Sequence, residues 1–420
     1  MILAKKMPIL RNQLILLGLL LTAVSAHADT NIPPKGVRVF VYQYVNASVP
    51  SSFGSTGIDK DFSVKETLGA SVIRSISPST SSAYDELKKI SPQLANDINL
   101  GTIDMNPIIN LKAHVFGLAW GLNDWLMIAG GVPVMTGNVS VTGGYINTGA
   151  IGSTAAGLRQ VSDPNVSSKA SAMAQVLEQL PVLRGEYLQG VIVNTFGYKP
   201  VGDWNGSGFG DTSLFLQARA LNWDFYKNGY KLGVDLPTGR VDDPDNLVDV
   251  PFGTGYTANY AEILNDFFVI PEYLTLSLNG RYQYNWNANR TFRLAPSIDF
   301  PLTADKEDIR YKPGNAWASV LEASTRLFRS VSVGIGYSIK EKAKDSIKGT
   351  RTNYDYGILE HNTSKKTKTA SAKLSYSTVD LFMRNKFPVP FKVGTTISRV
   401  VSGINTERVN LVSLDFEMYF

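Results

Sequence analysis

The sequence predicts an all-β protein: a closed antiparallel transmembrane β-barrel of about 12 strands, with short helices in large extracellular loops. Three observations predict it. The N-terminus reads as a secretory leader, runs of about ten residues alternate apolar and polar side chains, and the last such run closes on Phe420. Successive side chains of a strand point to opposite faces, so alternation makes one face fit for lipid and one fit for water.

The leader opens on Lys5, Lys6 and Arg11, continues through an apolar run from Leu14 to Val24, and ends in Ala26-His27-Ala28. Small residues at 26 and 28 are those a signal peptidase reads, so residues 1–28 are expected to be removed and residues 29–420 to form the barrel. The alternative is an uncleaved anchor, but the apolar run is about half the roughly 20 residues of a spanning helix. Removal takes the formal charge from +5 to +2, because Lys5, Lys6 and Arg11 leave with the leader. A nearly neutral chain carries neither a nucleic-acid footprint nor an acidic tail. The chain has no cysteine, which removes Cys nucleophiles, thiolate metal sites and iron–sulfur clusters and leaves stability to other sources. No helix-length apolar run follows the leader, so helical spans are not expected.

The segments are taken in order. Residues 36–45 open the series. Residues 107–117 set Ile109, Leu111, Ala113 and Val115 against Asn110, Lys112 and His114. After a partner at 124–134, residues 208–221 carry Leu214, Leu216, Ala218 and Ala220 on one face, and residues 228–237 carry Tyr230, Leu232, Val234 and Leu236. Residues 254–264 alternate less well, since Glu262 shares a face with Tyr256 and Tyr260. Residues 272–285 place Leu274, Leu276 and Leu278 opposite Thr275, Ser277, Asn279 and Arg281. Residues 315–328, 331–341, 368–383 and 388–400 follow, and in the last segment, 408–420, Val412, Leu414, Phe416, Met418 and Phe420 alternate with Ser413, Asp415, Glu417 and Tyr419. Twelve strands put every short turn at one end and every longer connection at the other, as bacterial barrels do; fourteen is the second choice.

Aromatics crowd the short turns, with Trp120 and Trp125 about one, Trp223, Phe225 and Tyr226 about the next, and Phe267 and Tyr273 about a third. Such clusters fit a girdle at the headgroup level. The largest loops, 46–106 and 135–207, are too long to be structureless. Ser82 with Asp85 reads as a capping box opening a helix through Leu87 and Ile90, and residues 167–180, with Met173, Val176, Leu177 and Leu180 before Pro181, read as a second. Either a constriction in the mouth or decoration packed on its own loop fits these helices.

Gly208-Phe209-Gly210-Asp211, Leu236-Pro237-Thr238-Gly239-Arg240 and Gly253-Thr254-Gly255 resemble motifs of the outer-membrane protein family named for the meta-cleavage pathway of phenol degradation. The resemblance covers about residues 207–340. It implies transport of small, often aromatic or hydrophobic molecules across the outer membrane; the residues themselves add the expectation of passive diffusion in a Gram-negative outer membrane, with no enzymatic chemistry and no cofactor. Read as residues, these motifs are structural: glycine permits tight geometry, and proline ends a strand ladder.

The lumen-facing candidates are Lys112, His114, Arg219, Arg281, Glu322, Arg326, Lys373, Lys392, Asp415 and Glu417. The expected partners are a small-molecule solute, outer-membrane lipid and lipopolysaccharide, and the barrel-assembly machinery; the basic stretches 340–348 and 365–368 offer lipopolysaccharide phosphates a contact, with a solvated loop as the default reading. The assembly signal is expected in Leu414, Phe416, Met418, Tyr419 and Phe420. No metal is expected, the one weak candidate being a Ca²⁺ site at Asp242, Asp243, Asp245 and Asp249, acidic oxygens without the spacing of a known loop. His114 and His361 belong to no catalytic motif, and Glu262 with Asp266 is a carboxylate pair that more often meets solvent. A non-transporting adhesin or structural barrel is the alternative, and an outer-membrane hydrolase comes third.

Overall fold

The computed structural model describes residues 30–70, 74, 78–146, 149–179, 189–298 and 302–420. The leader, and Leu180 with Pro181, lie outside the described residues. In chain order the strands are β1 (Arg38–Phe53), β2 (Asp59–Asp61), β3 (Val64–Thr67), β4 (Thr102–Asn123), β5 (Leu126–Ile146), β6 (Trp204–Phe209), β7 (Thr212–Asn222), β8 (Tyr226–Leu236) and β9 (Ala258–Ile270). There follow β10 (Leu274–Asn285), β11 (Ala288–Arg293), β12 (Lys306–Lys312), β13 (Ala316–Phe328), β14 (Val331–Lys342), β15 (Ser346–Ile347), β16 (Lys365–Ser377), β17 (Phe391–Ile404) and β18 (Thr406–Tyr419).

Twelve of these form a closed antiparallel ring, β1-β4-β5-β7-β8-β9-β10-β13-β14-β16-β17-β18 and back to β1. β1 carries the closure, pairing from Val39↔Tyr419 to Phe53↔Thr406 on one edge and from Arg38↔Trp120 to Val49↔Ile109 on the other. Closure matters because an open sheet edge has no hydrogen-bond partner in hydrocarbon. β2, β3 and β6 flank β1, β4 and β5, while β11, β12 and β15 form a separate sheet.

The ring is the one the alternation predicts, with taller strands on one side. β1, β4 and β5 run on to Phe53, Thr102 and Ile146, beyond the point where outward side chains stop being apolar and the sequence contrast fades. Short turns at 124–125, 223–225, 271–273 and 329–330 share one end, taken as the inner one. Two connections break the expected rule. Residues 378–390 at the inner end hold a short helix, because Thr378 turns its hydroxyl to the Val389 carbonyl at 2.7 Å and accepts from Phe391 N at 2.9 Å, ending β16 early. At the outer end β17 passes into β18 through Asn405 alone, with φ at 49°, a conformation asparagine tolerates.

Helices α1 (Pro78–Ile90), α2 (Pro92–Asp97), α3 (Ile151–Arg159) and α4 (Ser167–Gln179) pack on one another over the outer ends of β4 and β5, around Leu87, Ala95, Leu158 and Ala174. They pack against Ile103, Met105 and Tyr145 of β4 and β5. α4 begins where expected. α1 begins earlier than the Ser82–Asp85 box suggests, since the run from Pro78 suits a first helical turn, where proline sacrifices no bonded N–H.

Candidate functional site: the lumen

Parity along each strand decides which side chains enter the lumen. On β18, Ser413, Asp415 and Glu417 point in while Val412 and Leu414 are exposed outside. Inward residues at one level meet across strands, where directly opposite Cβ atoms lie about 5 Å apart. Lys231 of β8, Glu262 of β9 and Arg281 of β10 are direct partners in register. Their charges pair at 3.2 Å (Lys231–Glu262) and 3.0 Å (Arg281–Glu262), and Arg281 also holds Asp235 at 3.0 Å and covers the Tyr260 ring. All four charges are largely buried, which is tolerable because each is paired. Gln43 donates to Asp415 at 2.5 Å, and Lys392 faces Glu417 at 3.5 Å.

Beside this charged row lies a cavity of about 200 Å³. Small inward residues make the room: Ala318 on β13, Gly334 and Gly336 on β14, Ser371 on β16, Ser398 on β17 and Ser413 on β18. Leu264, Val320 and Leu411 add apolar walls, and Arg281, Lys373 and Glu322 add charge.

The outer side is closed by the β8–β9 loop. Val248, Val250 and Phe252 are buried against Val45, Ile109, Leu111, Val139, Val400 and Leu411, inner-face residues of five strands. The Gly-rich motifs hold this plug. Asp211 accepts from Gly239 N at 3.0 Å, Thr254 N at 2.7 Å and the Thr254 hydroxyl at 2.8 Å. The two backbones touch so closely that a Cβ on Gly239 would lie 2.6 Å from the Gly253 Cα. Arg240 lies between the Trp204 and Phe252 rings and pairs with Asp249 at 2.8 Å.

The acidic stretch in the same loop, the Ca²⁺ candidate of the sequence, is occupied by ion pairs. Asp242 pairs with Arg290, Asp243 with Lys199 at 2.6 Å, Asp245 with Arg293 at 2.7 Å, and Asp249 with Arg240. Each carboxylate is turned to a cation, Asp245 to Lys306 as well, and no group of three or more His, Asp or Glu is placed to hold a metal among the described residues.

The inner side is crossed by residues 30–37, which leave β1 and run past β4, β5, β7 and β8 to β9. Gly36 N donates to Gly121 O at 2.8 Å, Lys35 N to Asp124 at 3.1 Å, and Gln217 to Asn31 O at 3.4 Å. Thr30 ends buried, its N and hydroxyl on Asp266 at 3.0 and 2.6 Å, with Ser277 on the other carboxylate oxygen at 2.5 Å. At Gly121 only glycine fits, because a Cβ would lie 2.3 Å from the carbonyls of Pro33 and Pro34.

Glu322, Lys373, Arg281, Lys392, Asp415 and Glu417 therefore share the lumen. Arg219 and Arg326 keep inward parity at the inner rim, where Arg219 reaches the Asp124 carbonyl at 2.6 Å. Lys112 and His114 do not join them. Both are exposed on the outward face of β4 with Phe116 and Leu118, and His114 bonds the Tyr42 hydroxyl at 2.8 Å. On β4 the inner face is apolar because it packs on the plug, which reverses the expected polarity. Lys231, Asp235, Glu262 and Gln43 were not among the expected lumen residues. For Lys231 and Asp235 the signal was the outward Tyr230-Leu232-Val234 series, whereas Glu262 was masked by its aromatic face-mates.

Phe420 pairs with Arg38 through both backbone bonds, at 2.8 and 2.9 Å, Leu414, Phe416 and Met418 have outward parity, and Tyr419 donates to Glu417 at 2.7 Å. The basic stretches are largely paired: Lys342 with Asp345, Lys344 with Glu360, Lys365 with Glu407 and Lys366 with Glu341. His361 caps a short outer-loop helix (α5, Gly357–Glu360).

No protein-family model matches the sequence, and no curated protein does. Among solved structures the chain is similar to an outer membrane channel from Pseudomonas putida F1, with a TM-score of 0.52 and 12% identity over 93% of this chain and 98% of that one. At that identity the likeness is one of fold. The P. putida toluene transporter TodX matches at TM-score 0.37 and 8% identity, over 94% of this chain and 93% of that one, a score too low to carry an argument.

Proposed function

We propose that this barrel is an outer-membrane channel for passive uptake of small apolar or aromatic molecules. The observation that carries this reading is the lumen cavity of about 200 Å³, lined by both apolar and charged groups of the barrel wall. A space of that size suits a molecule of one or two rings, and mixed lining is how ligand cavities combine affinity with orientation. The resemblance of the Gly-rich motifs to the phenol-pathway family, and the channel named for the P. putida fold neighbour, agree with it. Secretion by cleavage after Ala28, and assembly through the 414–420 signal, belong to the same reading. A Ser/His hydrolase draws no support, since His114 faces outward and His361 lies in an outer loop.

Purified protein in liposomes tests the reading. Flux of a monoaromatic solute should exceed that of empty vesicles, and Ser371→Leu, which fills the cavity, should lower it at least several-fold with the barrel intact. No flux above empty vesicles would leave the non-transporting surface barrel in its place.

A further inference from the structure

The outward face carries a polar belt that the lumen does not explain. Arg399, Asn410, Ser48, Asn110, Asn138 and Asn205 are successive register partners across β17, β18, β1, β4, β5 and β6. All six alternate in phase with outward residues, and Asn138 donates to Asn205 at 2.7 Å. One step toward the inner end, Asn46, Lys112, Thr136 and Ser207 form a second polar row beside Val412. One step further, Leu414, Tyr44, His114, Val134 and Phe209 are partners, and the face turns apolar. The belt therefore sits at the level where hydrocarbon gives way to outer-leaflet headgroups.

Its chemistry is specific. Asparagine amides and serine hydroxyls both donate and accept, as sugar hydroxyls do. Lys112 and Arg399 are exposed, and among the described residues neither forms an ion pair, unlike the basic loop lysines above. Three strand steps and a two-residue offset along the strand separate these two cations, about 16 Å at ordinary strand spacing. Two adjoining rows of amides and a hydroxyl lying diagonally between two cations fit a disaccharide with a phosphate at each end.

We propose that this belt binds the bisphosphorylated disaccharide head of the outer-leaflet glycolipid, lipid A, with Lys112 and Arg399 each taking a phosphate and Asn410, Ser48, Asn46 and Asn110 taking the sugar between them. The docking is charge-complementary, and phosphate contacts from lysine and arginine are among the stronger surface hydrogen bonds. It is independent of what passes through the lumen.

The test is native mass spectrometry of the detergent-solubilised barrel titrated with bisphosphoryl lipid A, monophosphoryl lipid A and phosphatidylglycerol. The wild type should retain bisphosphoryl lipid A, bind the monophosphoryl form less well, and not exchange it for phosphatidylglycerol. Lys112→Ala with Arg399→Ala should weaken retention about ten-fold, the scale of losing one strong contact. Asn410→Asp, which sets a like charge beside the phosphates, should weaken it without removing a side chain. Heat-modifiable gel mobility reports that each variant is folded. Retention by both variants equal to wild type, or free displacement by phosphatidylglycerol, would overturn the proposal.

Discussion

Arg293 shows how much one buried residue organises the outer face. Its side chain is fully buried and every donor is used: Nε to the Pro244 carbonyl, Nη1 to the carbonyls of Phe196 and Thr303, and Nη2 to Gly197 O and to Asp245 at 2.7 Å. Three outer segments thus meet on one guanidinium, which also lies over the Tyr198 ring. Removing it strands four carbonyls and leaves Asp245 to Lys306 alone, a loss on the order of 3 kcal/mol. Arg293→Ala should leave the barrel's β-structure content unchanged and make the segments about 196, 245 and 303 protease-sensitive, checked by limited proteolysis with mass mapping. Intact loops in that variant would remove Arg293 from this role. Nothing in the sequence marks Arg293, because its partners are mostly backbone carbonyls from distant segments and no side-chain pattern records them.

Among elements, the β8–β9 loop depends on charge pairing, and so on pH. Burial pushes Asp243 and Asp245 upward, but Lys199 beside Asp243, and Lys306 with Arg293 beside Asp245, outweigh it and hold both below the usual carboxylate range. A carboxylate depressed on folding contributes stability above its unfolded value, near 4, and loses it as pH falls through the folded value. The loop should therefore exchange amide hydrogen slowly at pH 7 and still slowly at pH 5, then loosen below about pH 4. Hydrogen exchange over residues 240–253 reads this directly; loosening already at pH 5 would contradict it. The same element shows what alternation can and cannot carry. The strand faces of β8, β10, β14 and β18 were legible because one face meets lipid and the other water. β4 was misread because its inner face meets the plug, so both faces of the strand carry apolar residues and the contrast that encodes direction is lost at Lys112 and His114. The Asp-rich run was legible as acidic, but apart from Arg240 at the head of the same loop its cations come from three other segments, at 199, 290–293 and 306.

For the molecule as a whole, the ring was readable because twelve similar segments repeat one rule, whereas its contents were not, since the plug and the strap obey no period. The strap depends on Asp266, the anchor of Thr30 on the far wall. Asp266→Ala should leave the circular-dichroism spectrum and heat-modifiable mobility unchanged while raising single-channel conductance several-fold. An unchanged conductance would mean that residues 30–37 do not limit passage. The seam between β1 and β18 has a further consequence. It joins Val39 to Tyr419, so the last stave set in place lies beside the first, and the hoop cannot shut until nearly the whole polypeptide is present. Contacts so distant along a chain form slowly.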